Sequence, residues 1–210
     1  MIPKADDITE IPLFPLRTVL FPYGTLPLRI FETRYIDMVR RCMRDGLPFG
    51  VVLIRQGVEA RLQRDDSQPD IFGVGTAALI ADFNPLSDGM LGIVCRATRK
   101  FRVHGTREQA DHLLLGDVAW LPDEPLGELG AEHRGLTEIL KDLVVHPLIQ
   151  KLGLDVDFSD ARSVSWRLSE LLPIEPEIKQ SLLQLPSPRE RLTELNRLVS
   201  KLRGESVGKN

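Results

Sequence analysis

Two glycine-containing segments have the residue types that bind phosphate groups. Residues 73–78, Gly-Val-Gly-Thr-Ala-Ala, fit the loose dinucleotide-binding pattern, in which glycines let a pyrophosphate approach a helix N-terminus. The apolar residues that follow favour a strand, so we interpret these glycines as allowing close backbone contacts within a sheet. Residues 204–209 place three residues between the glycines where a phosphate loop needs four, and we predict a frayed tail there.

The carboxylates and histidines do not form a pattern that is typical of a metal or catalytic centre. Asp155, Asp157 and Asp160 are closely spaced, but the segment lacks the central glycine and distal glutamate of a calcium loop, so it indicates a turn and a helix start. The four histidines show no zinc spacing, and no G-x-S-x-G elbow occurs. We predict no metal, no cofactor and no catalytic residue, although spacing alone leaves open a nucleophile assembled in space.

The composition is that of an ordinary globular protein. The 210 residues include 27 basic and 30 acidic side chains, and the net charge of −3 gives no global attraction to nucleic acid or to an anionic membrane. The first ten residues lack the basic start and apolar run of a signal peptide, and no apolar stretch reaches the ~18–20 residues that span a bilayer. Two cysteines in different predicted elements indicate buried thiols, so we expect a reducing cytoplasm.

The texture of the sequence changes at residues 121–130, where two prolines and two glycines interrupt regular structure. Before this segment the pattern predicts six or seven short strands and one helix over residues 33–45. After it, the pattern predicts four helices, over residues 131–152, 163–172, 175–185 and 188–202. We therefore predict an α+β protein with two domains: 1–123, a curled mixed β-barrel with one early helix, and 124–210, a C-terminal helical bundle.

Prolines and alternation add local predictions. Pro12, Pro15 and Pro27 cannot donate to a sheet ladder, so their strands should be irregular or lie at a sheet edge. Alternation along the strand at residues 100–104 places Lys100 on the outward side. Pro147 should kink or end the first helix of the second half.

A proline-rich run opens the chain, with residues 11–17 (IPLFPLR) followed by 19–24 (VLFPYG) and 26–28 (LPL). This run resembles the opening of the N-terminal, substrate-binding domain of Lon proteases. The resemblance continues in the same order through FETRY at 31–35, FGVGTA at 72–77 and FRV at 101–103, and residues 178–184 with 189–192 are similar to the family's helical part. The family's G-x-x-R-F element corresponds to residues 97–101 here, with the glycine lost and a lysine in place of the arginine.

The resemblance implies a PUA-like curled β domain joined to a helical bundle. It also implies a stand-alone relative of the domain that captures substrate, because the 210 residues contain neither an ATPase phosphate loop nor room for a protease domain. We therefore expect a non-catalytic module, without ATPase or protease activity, that binds unfolded polypeptide, a degron or a partner protein.

Apolar side chains in predicted turns are the candidate peptide contacts. They are Phe21 and Tyr23 in the first hairpin, and Phe83, Leu86 and Met90 around a second turn. Each of them can instead fold inward and fill the barrel.

Two other functions remain open at this point. PUA-like domains suggest RNA binding by analogy of fold, with a local patch of Arg96, Arg99, Lys100, Arg102 and Arg107, although neither half of the chain has a basic excess. A pocket between the two domains could also serve an unrecognised small-molecule enzyme.

Overall fold

The computed structural model describes residues 8–59, 68–86, 90–150 and 153–207, with side chains up to Leu202. The chain divides into two compact units, Met1–Asp123 and Glu124–Asn210. Among the described residues, no helix combines the length and the apolar character needed to cross a membrane. Part of the polar loop after residue 56 and the turn at 87–89 lie outside the described residues.

The first unit is built on one mixed sheet. Its seven strands are ordered β1-β7-β6-β5-β3-β4, with β2 beside β6 and with β1 also paired in parallel to β3; the other pairings are antiparallel. A single helix of the described part, α1, connects β2 to β3, which confirms the prediction of a strand-rich half with one early helix. The elements are β1 (Ile8–Leu16), β2 (Thr25–Ile30), α1 (Thr33–Asp45), β3 (Phe49–Gln56), β4 (Asp70–Ile71), β5 (Val74–Pro85), β6 (Leu91–Glu108) and β7 (Leu114–Trp120).

Two buried apolar clusters hold the first unit together. One joins α1 to the strands through Tyr35 and Met38, and Phe14 stacks on Tyr35 with ring centroids 4.0 Å apart. The other contains Phe101 and Trp120, whose rings meet edge to face at 6.2 Å. Together these clusters fix the strands that carry the surfaces described below.

Gly75 explains why a glycine is needed in the segment 73–78. A Cβ at this position would lie 2.5 Å from the backbone oxygen of Val51 and 2.6 Å from Cζ of Phe101. The segment continues as strand β5, so no helix N-terminus follows it. The interpretation of close backbone contact is confirmed for Gly75, whereas a Cβ at Gly73 would meet nothing within 4 Å.

Strand β1 changes its neighbour along its length. Residues Ile8–Leu13 pair with β7, and residues Leu13–Leu16 pair with β3. Pro12 and Pro15 therefore lie in different halves of the strand, and each half has one neighbouring strand. Half of the N–H groups in such a strand point away from the neighbour, so a proline at those positions loses no ladder hydrogen bond. Strand β2 pairs with β6 and with no other described strand. The predicted edge position is confirmed for β2. It is also confirmed for β1, because each half of that strand has one neighbouring strand.

Lys100 differs from the prediction. Its side chain is buried, with 6% of its surface exposed, and the neighbouring Phe101 is fully buried. Because consecutive residues of a strand point to opposite faces, β6 is covered on both faces at this point. The prediction that Lys100 faces outward is wrong, since alternation does not show which parts of a long strand are covered twice.

The second unit is helical, as predicted. After a 3₁₀ turn (Ala131–His133) come α2 (Arg134–Val144), α3 (Pro147–Gln150), α4 (Ala161–Leu171), α5 (Pro176–Gln184) and α6 (Pro188–Val207). Pro147 begins a separate short helix, which confirms the predicted interruption. Helix α6 continues through residue 207, so the prediction of a frayed tail is wrong for residues 204–207, and the rest of that segment lies outside the described residues.

The acidic segment before α4 forms a turn and a helix cap. Asp160 is the N-cap residue, and its carboxylate accepts a hydrogen bond from the backbone N–H of Arg162 at 3.1 Å. Asp157 accepts hydrogen bonds from the backbone N–H and the hydroxyl of Ser159, which lower the pKa of Asp157. The turn and helix-start interpretation is confirmed. No group of three or more metal-binding side chains comes together anywhere in the described ranges.

Candidate functional site

Strands β2, β6 and β5 run side by side and place the candidate contacts at two separate ends. Ile30 pairs with Leu91 of β6, which also pairs with Pro85 of β5. At the opposite end, Thr25 pairs with Arg96. The strands between these two ends supply the rigid scaffold of the site.

An apolar surface lies at the first end. Phe31 directly follows the last residue of β2 and is 54% exposed, and Phe83 of β5 is 51% exposed. Leu86 and Met90 are half-buried, and the Leu86 N–H donates to the Met90 carbonyl oxygen at 2.8 Å across the turn. We call Phe31, Phe83, Leu86 and Met90 the strand-end surface.

The other two candidate residues lie elsewhere. Gly24 accepts a hydrogen bond from the backbone N–H of Ala97, so the first hairpin is roughly 20 Å along β6 from Leu91, at about 3.3 Å per residue. Tyr23 in this hairpin is 51% exposed and has a φ of 62°, an uncommon value for a residue other than glycine. Phe21 is buried in the core, with 1% exposed. The structure therefore brings Phe83, Leu86 and Met90 together, apart from Tyr23, and a peptide contact by any of the five residues stays a prediction.

Phe31 was missed by the sequence reasoning. In the sequence it belongs to the FETRY motif, between a predicted strand and a predicted helix, and not to a predicted turn. The signal that could have found it is an aromatic residue immediately before Glu32, the N-cap residue of α1. A side chain at such a junction has no regular element to pack under, which favours exposure.

The five basic residues of β6 do not form an open cationic patch. Lys100 is buried, and Arg107 donates two hydrogen bonds to the Glu10 carboxylate at 2.6 and 2.8 Å. The guanidinium of Arg99 lies 5.1 Å from the centre of the Trp120 ring. Arg96 and Arg102 are exposed, and two separate charges give little attraction to a nucleic-acid backbone.

Neither cysteine is placed to act as a nucleophile. Cys42 and Cys95 are free and buried. Burial raises the pKa of Cys42 to about 11 and that of Cys95 to about 12. Both thiols are therefore protonated at neutral pH, and the thiolate is the reactive form.

Comparison with known proteins places this architecture among parts of Lon proteases. Residues 10–201 match the family described as the ATP-dependent protease La (LON) substrate-binding domain. Lon protease 1 of Bdellovibrio bacteriovorus is 25% identical over 191 residues, which cover 88% of this chain and 24% of the relative. Lon protease of Cytophaga hutchinsonii is 27% identical over 207 residues, which cover 94% of this chain and 25% of the relative. The chain thus spans about a quarter of the length of these curated relatives.

Two solved structures share the fold. The Lon N-terminal domain protein from Xanthomonas campestris is 38% identical with a TM-score of 0.74, over 90% of this chain and 98% of that one. The N-terminal domain of the Mycobacterium avium complex Lon protease has a TM-score of 0.58 over 91% of this chain and 98% of that one, and at 18% identity it shows the fold alone. The chain belongs to the LON substrate-binding domain family.

Proposed function

We propose that the chain recognises exposed apolar segments of polypeptides, in an unfolded protein, a degron or a partner protein, through the strand-end surface. The proposal rests on two aromatic side chains, Phe31 and Phe83, that are more than half exposed in this chain. The chain belongs to a substrate-binding domain family. Exposed aromatic residues are typical of interaction sites, because they supply a large contact area with few rotatable bonds.

The size of this surface suits weak, reversible capture. A half-exposed phenylalanine has roughly 100 Å² left to bury, which is worth about 2.5 kcal/mol at ~25 cal/mol per Å². Two such rings with the half-buried Leu86 and Met90 offset part of the cost of association and no more. A recognition module that binds and then releases its polypeptide needs such a weak affinity.

We propose further that the sheet curls into a PUA-like barrel and that the helices of the second unit form a bundle. The ring of pairings supports the curl, since the order β1-β7-β6-β5-β3 returns to β1 through the parallel β1–β3 pair. We also propose that the chain acts by binding alone in a reducing cytoplasm, which the protonated, unpaired thiols of Cys42 and Cys95 support.

Hydrogen exchange with β-casein, an unfolded client, tests the binding site. We expect protection around residues 31, 83–86 and 90, and about tenfold weaker binding for Phe83→Ser. The matched control is Leu126→Ser in the second unit, where the side chain is 72% exposed. Absence of protection at the strand-end surface, or equal effects of the two substitutions, would contradict the site. Cleavage of β-casein by the purified chain would contradict the binding-only role.

A further inference from the structure

A recess of the first unit lies between β1, α1 and the segment that joins α1 to β3. It encloses about 530 Å³, within the range of ligand-binding cavities. Its apolar wall includes Met38, Leu47, Leu115 and Trp120. None of the residues of the strand-end surface lines it, so it is a separate place for a ligand.

The recess opens beside an edge of β1 that has no partner strand among the described residues. Strand β1 pairs with β7 from Ile8 onward, but its pairing with β3 begins at Leu13. No strand among the described residues pairs with the second edge of residues 8–12, and Thr9, Glu10 and Ile11 line the recess. Alternate N–H and C=O groups on this edge can therefore pair with an added extended chain.

Among the described residues that line the recess, one cation has no ion pair and can bind a ligand. The Glu10 carboxylate is held by two hydrogen bonds from Arg107, and the Asp45 carboxylate by two from Arg44 at 2.8 and 2.9 Å. Arg41 also lines the recess and forms no ion pair with any residue that the structure describes. The unpaired charge is positive, which complements a carboxylate.

We propose that this recess binds the C-terminal residue of an extended polypeptide. The apolar side chain occupies the recess, the main chain pairs with the free edge of β1, and the terminal carboxylate binds Arg41. A fatty acid lacks the main chain, and an internal peptide segment without an acidic side chain lacks the carboxylate. A polypeptide with an apolar C-terminus supplies all three features. The inference rests on the proposed function, since its ligand is a polypeptide.

Fluorescence anisotropy with two labelled peptides tests the proposal. Both have the same polar sequence ending in leucine, one as the free acid and the other as the C-terminal amide. We expect the acid to bind about tenfold more tightly, the effect of one hydrogen-bonded ion pair. Arg41→Gln removes this preference, whereas Arg40→Gln keeps it, because Arg40 is 74% exposed on the same helix and is paired with Asp37. Leu47→Ser weakens both peptides.

The possible outcomes separate this inference from the proposed function. Hydrogen exchange with the acid peptide should protect alternate amides within residues 8–11, and unchanged exchange there overturns the strand pairing. Equal binding of acid and amide, or a preference that survives Arg41→Gln, overturns the C-terminal site. If β-casein then still binds in a Phe83-dependent manner, only this inference fails. If β-casein does not bind either, both this inference and the proposed function are refuted.

Discussion

Arg191 of helix α6 is a fully buried cation. All five of its N–H donors have acceptors. Nε donates to the Leu182 carbonyl oxygen at 3.0 Å, and the two Nη atoms donate to both carboxylate oxygens of Glu124 at 2.8 and 2.6 Å. The remaining donors reach the Ser165 hydroxyl at 3.1 Å and the Leu185 carbonyl oxygen at 3.0 Å. The guanidinium therefore ties α4, α5 and the start of the second unit to α6.

Arg191→Met removes these bonds and leaves an apolar side chain of similar length. The Glu124 side chain, 4% exposed, then keeps a buried charge that Arg191 no longer neutralises, and breaking such a pair costs about 3–5 kcal/mol. Burial lowers the pKa of Arg191, and the hydrogen bonds that Arg191 donates to Glu124 oppose this effect. The desolvation cost thus offsets much of the attraction, so replacing both partners by apolar residues should be far less harmful than replacing one.

Urea unfolding followed by far-ultraviolet circular dichroism measures the effect. We expect Arg191→Met to lower the free energy of unfolding by about 3–5 kcal/mol, and the double variant with Glu124→Leu to recover most of this loss. The matched control is Arg197→Met on the same helix, where the arginine is 70% exposed, so solvent screens its pair with Glu194 and we expect little change in stability. A loss below about 1 kcal/mol for Arg191→Met, or a double variant as unstable as the single one, would refute the reasoning.

Three further predictions concern the first unit. Gly75→Ala should lower the free energy of unfolding by about 2 kcal/mol or more, because its Cβ would lie 2.5 Å from a backbone oxygen. An equal loss for Gly73→Ala, where a Cβ would meet nothing within 4 Å, would contradict this. Cys42 and Cys95 should react with Ellman's reagent at about pH 8 roughly a hundredfold more slowly in the native chain than in urea, and fast native reaction would contradict their burial. The hydrogen bond from Arg107 lowers the pKa of Glu10 below 4.5, so its stabilisation is present above that pH and is lost as the pH falls through the lowered pKa. The difference in unfolding free energy between the wild type and Arg107→Gln should therefore shrink in acid. A difference that does not change with pH would show that the ion pair of Arg107 with Glu10 does not cause it.

The candidate site was only partly predictable from the sequence. Phe83, Leu86 and Met90 flank one turn, so their proximity follows from their spacing along the chain. The distance of Tyr23 from them, and the position of Phe31 at their end of the strands, follow from the register of β2 against β6. Register depends on the pairing of residues that are far apart in sequence, and alternation along a single strand does not encode it.

The sequence by itself determined the local elements of this protein, because glycine and proline act on their own backbone angles. Gly46 ends α1 in the left-handed conformation with a φ of 64°, and Pro147 interrupts the first helix of the second unit. Only the tertiary structure decided what is buried and what is left open. It placed Arg191 against Glu124, covered both faces of β6 at Lys100, and left one edge of β1, beside a recess, without a partner strand among the described residues. These outcomes depend on contacts between residues tens of positions apart, whose energies arise only when the sheet and the helices have assembled.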